Sequence, residues 1–127
     1  NINDMYKFKT PALRNVSLTA PYGHNGAYPT LKSIIKHHLN PIKMNKNWKP
    51  EYANLPKAPW LEEIDFVTFS DKREQDRILS SIDIQPIELN DKEIDELVSF
   101  LKSLTGRSGN QRPLGKPDKV PSGLSID

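Results

Sequence analysis

Residues 10–41 read TPALRNVSLTAPYGHNGAYPTLKSIIKHHLNP, and the rest of the chain is organised around them. The stretch holds all three histidines and the densest run of turn formers. Thr10-Pro11 biases Thr10 to an extended backbone. Pro11 to Asn15 then suit a single helical turn with Pro11 at its first position. Residues 19–26, TAPYGHNG, read as a structured loop rather than a strand, and Asn25-Gly26 suits a site that needs positive φ. Thr30 is an N-cap for a helix over residues 31–39, which Asn40-Pro41 ends. At about 100° per residue, Leu31, Ile34, Ile35 and His38 share one face, while His37 falls on the polar flank with Ser33 and Lys36. His38 is therefore expected to point to the core and His37 to solvent.

The remaining composition sets bounds. A chain of 127 residues is one domain's worth, with room for a modest core. Eleven prolines and a hydrophobic fraction of 35% mean that much of it is loop. The net charge of +2 comes from basic residues interleaved with acidic ones, without the cationic stripe that phosphate neutralisation needs, so no nucleic-acid partner is expected. No apolar run approaches the roughly 18 residues of a membrane span. The chain opens on Asn1 with no signal peptide and reads as a mature product or a fragment. There is no cysteine, which excludes disulfides, thiolate metal sites and a cysteine nucleophile. It also excludes covalent haem attachment by this chain, since that requires Cys-x-x-Cys-His.

Residues 1–9 read as an extended lead-in. Residues 41–70 are rich in proline and show little periodicity. Trp48, Tyr52, Trp60, Phe66 and Phe69 are expected to patch apolar surface there. Ser70 or Asp71 caps a short helix that runs to about Ile82. Asn90-x-x-Glu93 forms a capping box, with acidic residues in the first turn, where the helix dipole favours them. Ile94, Leu97, Val98, Leu101 and Leu104 follow as an apolar stripe, and Gly106 suits a C-terminal stop. Beyond Arg107 the composition turns to Gly, Pro, Ser and Lys, a tail expected to lie along the surface.

Only the histidines rise above background as chemistry. A single histidine on an apolar stripe is most often a satisfied core residue; the alternative for His38 is an iron or other metal ligand, its ring aimed by a short helix. His24 is a turn histidine or a hydrogen-bonding group beside a site. His37 and His38 are adjacent and diverge on a helix, so they cannot chelate one ion together. The loop at 19–22 exposes carbonyls that a hard cation could use, as any proline-containing turn does. The serines lack a nucleophile elbow, and the carboxylates lie on solvated faces.

The segment TPALRNVSLTAPYGHNGAYPTL resembles the C-terminal haem domain of the bacterial dihaem cytochrome c peroxidases and the related methylamine-utilisation dihaem enzymes, where it takes the form TPxLRNVxLTAPYxHxG followed by a helix starting Thr/Ser-Leu. LVSFLKSLTG at 97–106 is similar to the family's closing helix, and VPSGLSID at 120–127 resembles tails in one branch. The resemblance implies a mainly α, cytochrome c-like fold (its C-terminal part) with short helices and long ordered loops. Residues 1–106 would form the haem domain without its Cys-x-x-Cys-His segment, and residues 107–127 an extended tail. It also implies haem c, two per full-length protein, and calcium. The carbonyls of Thr19 and Pro21 map onto the calcium site, His38 onto the distal ligand of the C-terminal haem iron, and Arg14 and His24 onto the haem surroundings.

The family has Met or Tyr where this chain has His38, so a bis-imidazole haem of lower potential is expected, and a high-potential electron store is put in question. Both Cys-x-x-Cys-His motifs of the family lie upstream of residue 1. The implied function is part of a periplasmic dihaem oxidoreductase that reduces hydrogen peroxide with electrons from a small donor protein. Its partners are the N-terminal haem-bearing portion and, in some arrangements, a second copy; this chain by itself is expected to be inactive. The alternatives are a dihaem oxidase that modifies a partner protein or substrate by long-range electron transfer, and a haem-free binding or assembly remnant. For Tyr22, Tyr28, Trp48 and Trp60, aromatic packing is favoured over electron transfer.

Overall fold

The computed structural model describes residues 4–55 and 58–107. These form a mainly helical fold of short helices joined by long ordered loops, as expected for a cytochrome c-like domain. In chain order the helices are α1 (Leu31–Leu39), α2 (Pro41–Asn47), α3 (Val67–Ser70), α4 (Lys72–Ser80) and α5 (Asp91–Ser103). Single 3₁₀ turns occupy Val16–Leu18, His24–Gly26 and Pro50–Tyr52.

The loop before α1 closes on itself. Tyr22 and Tyr28 exchange both backbone hydrogen bonds, at 2.7 and 3.0 Å, as an isolated antiparallel bridge. The chain reverses between them through Gly23 (φ 76°), Asn25 (φ 55°) and Gly26 (φ 66°), so the Asn-Gly signal was read correctly. Gly26 is required twice over. A Cβ there would meet Pro21 Cγ at 2.9 Å and the Asn54 carbonyl oxygen at 3.0 Å, in a backbone conformation that L-residues resist. The Ala20–Pro21 peptide is cis.

This closed loop carries the core. Tyr22, Tyr28 and Leu31 are buried together, and Val16, Ala27, Ile34, Met44, Trp48, Val98 and Leu101 pack around them. The loop's polar groups are satisfied from within: Tyr22 Oη donates to the Val16 carbonyl (3.0 Å) and Trp48 Nε1 to that of Ala27 (2.9 Å). Helix α1 starts from a capping box in which Thr30 Oγ1 accepts from Ser33 N and Ser33 Oγ accepts from Thr30 N. Its last turn holds Lys36, the charge sign that suits a helix C-terminus, beside His37 and His38.

Helix α5 closes the fold, starting from the expected Asn90/Glu93 capping box. Ile94 is 4% exposed, Val98 and Leu101 reach the core, and Lys32 and Lys36 of α1 meet Asp91 and Asp95 at 2.7–3.7 Å. These exposed ion pairs contribute little each, so apolar burial decides the packing. The end of α5 also binds the segment containing Arg14 and Asn15. Asn15 N donates to the Leu104 carbonyl (3.2 Å), Gly106 N donates to Asn15 Oδ1 (2.8 Å), and the Ser17 and Thr105 hydroxyls lie 2.6 Å apart. Asn15 holds φ 60°, a left-handed conformation that Asn tolerates. The two sequence motifs of the resemblance are thus one hydrogen-bonded unit, through side-chain bonds between residues 88 and 91 positions apart.

Several expectations are corrected. The turn expected at residues 11–15 forms instead at Val16–Leu18, because Asn15 takes the left-handed conformation and starts it there. Pro41 ends α1 but also starts α2: Asn40 Oδ1 accepts from Lys43 N, and Pro41 sits at the first helical position, where its missing N–H costs nothing. Gly106 is not a left-handed stop; α5 ends through Leu104 in a near-helical conformation, and the glycine serves the Asn15 contact. Asp71 rather than Ser70 caps α4. Of the five aromatics at 41–70, Trp48, Phe66 and Phe69 cluster with centroids 5.1–6.1 Å apart, while Trp60 is 78% and Tyr52 49% exposed. The expected tail at 107–127 lies outside the described residues from 108 onwards, as does the VPSGLSID resemblance.

Candidate functional site at the end of α1

The last turn of α1 presents two neighbouring imidazoles in opposite situations. His38 is exposed, and its Nδ1 lies 2.9 Å from the Ile34 carbonyl one turn back. A carbonyl can only accept, so Nδ1 carries a proton, and in the neutral ring the lone pair is then on Nε2. The same Nδ1–H···O=C bond commonly fixes the tautomer and direction of a metal-binding histidine. His37 is half-buried, its Nδ1 2.8 Å from Tyr28 Oη and its ring 5.1 Å from the Tyr28 ring. Burial, then the proximity of His38, lowers the pKa of His37 and keeps it neutral. Burial raises the pKa of Tyr28, so its phenol stays protonated. The His37 and His38 rings meet edge to face at 5.7 Å.

This reverses the expected directions of the two rings. Periodicity found the apolar side of α1 correctly but could not show which sector the chain itself covers. The Tyr22–Tyr28 bridge folds the Tyr28 ring back over the Leu31–Ile34–His37 side and offers His37 a hydroxyl. His38 shares the sector of Leu31 and Ile34 but sits at the helix end, where it stays exposed. A residue paired with a core tyrosine and a residue open to an outside group are separated by one position.

The other expected site residues do not converge on His38 through any contact among the described residues. His24 is exposed in its 3₁₀ turn and stacks on Phe8, centroids 5.1 Å apart. Arg14 is exposed beside Gly106. Thr19 and Pro21 are exposed, and among the described residues neither carbonyl accepts a hydrogen bond. Thr19 instead uses its hydroxyl, donating to the Val16 carbonyl at 3.0 Å. No cluster of three or more His, Asp or Glu able to hold a metal exists among the described residues. Any ion or haem iron here would need ligands from outside them. The donor chemistry fits such a group: an exposed imidazole bonded through Nδ1 leaves Nε2 for haem iron, and two unengaged carbonyls suit a hard cation. The residue the sequence reading missed was Tyr28, whose position nine before His37 gives no helical signal because it precedes the helix.

No helix among the described residues is long and apolar enough to cross a membrane. No protein-family model matches the chain, and no solved structure does. Curated proteins do. The methylamine utilization protein MauG of Paracoccus denitrificans is 37% identical over 106 residues, spanning 80% of this chain and 23% of that protein. MauG of Methylophilus methylotrophus is 33% identical over 64 residues, spanning 50% and 19%. Cytochrome-c peroxidase IdrP1 of a Pseudomonas species is 46% identical over 35 residues, spanning 28% and 9%. The chain spans less than a quarter of the length of these relatives. The chain is a homologue of the MauG and cytochrome-c peroxidase proteins, and the matches are consistent with a C-terminal portion of that family.

Proposed function

We propose that this chain is part of a periplasmic dihaem c-type oxidoreductase with peroxidase-like activity, in which His38 is an axial ligand of the C-terminal haem iron. The observation that carries this is the Nδ1–H···O=C bond from His38 to Ile34, which leaves Nε2 as a lone-pair donor on an exposed ring. A haem bound there would supply one-electron redox chemistry. Because the chain has no cysteine, covalent attachment of such a haem would fall to the N-terminal haem-bearing portion, which would also supply the second imidazole. Imidazole in place of a thioether lowers the expected potential of that haem.

In this reading His38 binds and α1 orients. The Thr30/Ser33 capping box and the packing of Leu31 fix the helix, and the Ile34 carbonyl fixes the ring and its tautomer. The Thr19 and Pro21 carbonyls take part in a calcium site completed from elsewhere in the protein, and Arg14 and His24 lie in the haem surroundings. Electrons from a small donor protein reduce hydrogen peroxide in the full-length enzyme. A second reading, a dihaem oxidase acting on a partner protein or substrate by long-range electron transfer, is favoured by one observation. The methylamine utilization protein of Paracoccus denitrificans is matched over 80% of this chain, whereas the peroxidase match covers 28% of it.

The test is His38→Ala in the full-length haem protein, read by absorption and electron paramagnetic resonance. The expected result is loss of the low-spin bis-imidazole signal of one haem, with the other unchanged. An unaltered low-spin spectrum removes His38 from the iron. Turnover of peroxide with a reduced small cytochrome then separates the two readings, fast turnover supporting the first.

A further inference from the structure

Two adjacent imidazoles at the end of a short helix pose a selection problem that the sequence does not resolve. A helix of two and a half turns frays at its last residues, so the helix alone does not fix the directions of its terminal side chains. An outside metal centre would then meet either ring. In this structure the two rings are made inequivalent by contacts that differ in kind. His38 is tied to its own helix, through the Ile34 carbonyl. His37 is tied outside the helix, through Tyr28 Oη at 2.8 Å. Tyr28 is itself immobilised: it is 6% exposed, its backbone pairs with Tyr22 in both directions, and its ring packs in the buried cluster with Leu31.

We propose that Tyr28 is a positioning residue for ligation: its phenol hydroxyl holds His37 against the core and so leaves His38 as the one imidazole offered to the metal centre. The inference deepens the proposed function and rests on it for the metal, but the withholding of His37 is a property of this chain alone. The phenol and the imidazole share one hydrogen bond, and the ring contact at 5.1 Å adds shape to it. For His37 to turn outward, both must break and the buried hydroxyl must lose its partner. His38 pays no such penalty, because its bond is made while the ring stays exposed. The loop that closes through Tyr22 and Tyr28 therefore specifies a ligand on the following helix without touching it.

The test uses Tyr28→Phe, which keeps the ring and its packing and removes only the hydroxyl. The first readout needs no haem: carbethoxylation of each histidine by diethyl pyrocarbonate at mildly alkaline pH, mapped by mass spectrometry. In the unmodified protein His38 reacts freely and His37 is protected. In Tyr28→Phe, His37 becomes reactive by roughly five- to tenfold, the factor that one lost neutral hydrogen bond corresponds to. The second readout is the low-spin spectrum of the full-length haem protein, where Tyr28→Phe produces two ligation species in place of one. Adding His37→Gln to Tyr28→Phe restores the single species, a rescue that a purely structural role for Tyr28 would not give. If His37 remains as protected in Tyr28→Phe as before, Tyr28 does not withhold it and the inference is overturned. If His37 is released but His38→Ala leaves the haem spectrum unaltered, the positioning by Tyr28 stands and the assignment of the metal site falls.

Discussion

Residues 15–48, with α5 against them, keep most of their large apolar side chains in contact; residues 58–87 keep most of theirs out. In the first region Tyr22, Tyr28, Leu31 and Ile94 are buried, and Val16, Ile34, Met44, Trp48, Val98 and Leu101 pack around them. In the second, Trp60, Leu61, Ile64, Val67, Ile84 and Ile87 are 40–78% exposed and no residue is buried. Trp48 stands between the two: its indole N–H is bonded to Ala27 in the first region, and its ring faces Phe66 and Phe69 of the second. Both regions have well-capped helices, for Asp71 Oδ1 accepts from Arg73 N and Glu74 N at the start of α4 much as Thr30 serves α1. Capping therefore does not separate them. What separates them is closure, local through the Tyr22–Tyr28 bridge and long-range through the Asn15–Leu104–Gly106 bonds, which hold the first region's faces together.

The sharpest way to break this comparison is a matched pair of truncations. Leu31→Ala, at a site 8% exposed, should cost about 2–4 kcal/mol. Ile64→Ala, at a site 61% exposed, should cost less than about 0.5 kcal/mol. Urea midpoints from far-ultraviolet circular dichroism, taken at two protein concentrations, measure both. Equal losses would mean that the residues 58–87 are covered in solution, and a concentration dependence would show that another copy covers them.

A smaller effect tests closure without removing apolar volume. Asn15→Ala loses the hydrogen bond to Gly106 N and places an alanine at φ 60°, for a total of about 2–3 kcal/mol. Asn15→Gly restores the backbone freedom and not the bond, so it should recover about half of that loss. If Asn15→Gly is as destabilised as Asn15→Ala, the left-handed conformation contributes nothing, and the side-chain bond alone joins the two motifs.

The same contrast explains what was legible in the sequence. Helices α1, α4 and α5 and their caps could be read because Thr30, Asp71 and Asn90 act on backbone groups two or three residues away. The turn at Asn25-Gly26 was legible for the same reason. The resemblance also selected the segment that carries the histidines. Illegible was anything that depends on distant closure. Asn15 starts the turn at Val16 because it answers to Leu104 and Gly106, and no local window contains all three. The directions of His37 and His38 were read from periodicity, which ranks faces by polarity; Tyr28, outside the helix, decided which face was covered. Helix α2 was missed because Pro41 was read only as a stop, whereas at a first helical position it is also a start.

The weakest link in the comparison is the tether of residues 4–9 to the second region, and it should respond to pH at both ends of the range. Tyr6, held at φ 64°, donates its hydroxyl to Glu74 of α4, and Lys7 Nζ meets Asp83 Oδ2 at 2.8 Å. The bond to Asp83 raises the pKa of Lys7 above its usual 10.5, and the bond to Lys7 lowers that of Asp83 below its usual 3.8. A raised lysine contributes stability that is complete below 10.5 and fades as pH climbs through its folded value; a lowered carboxylate contributes stability that is complete above 3.8 and fades as pH falls through its own. The pair therefore acts on a plateau between those limits and is lost at both ends. Both side chains are more than half exposed, so the effect is small and screened by salt. Comparing the protein with Lys7→Met, the difference in urea midpoint should be constant across the plateau and vanish at either extreme, and added salt should shrink it. A difference that persists unchanged at the extremes would assign the contribution of Lys7 to its alkyl chain, leaving the Tyr6–Glu74 bond as the polar hold on the chain's start.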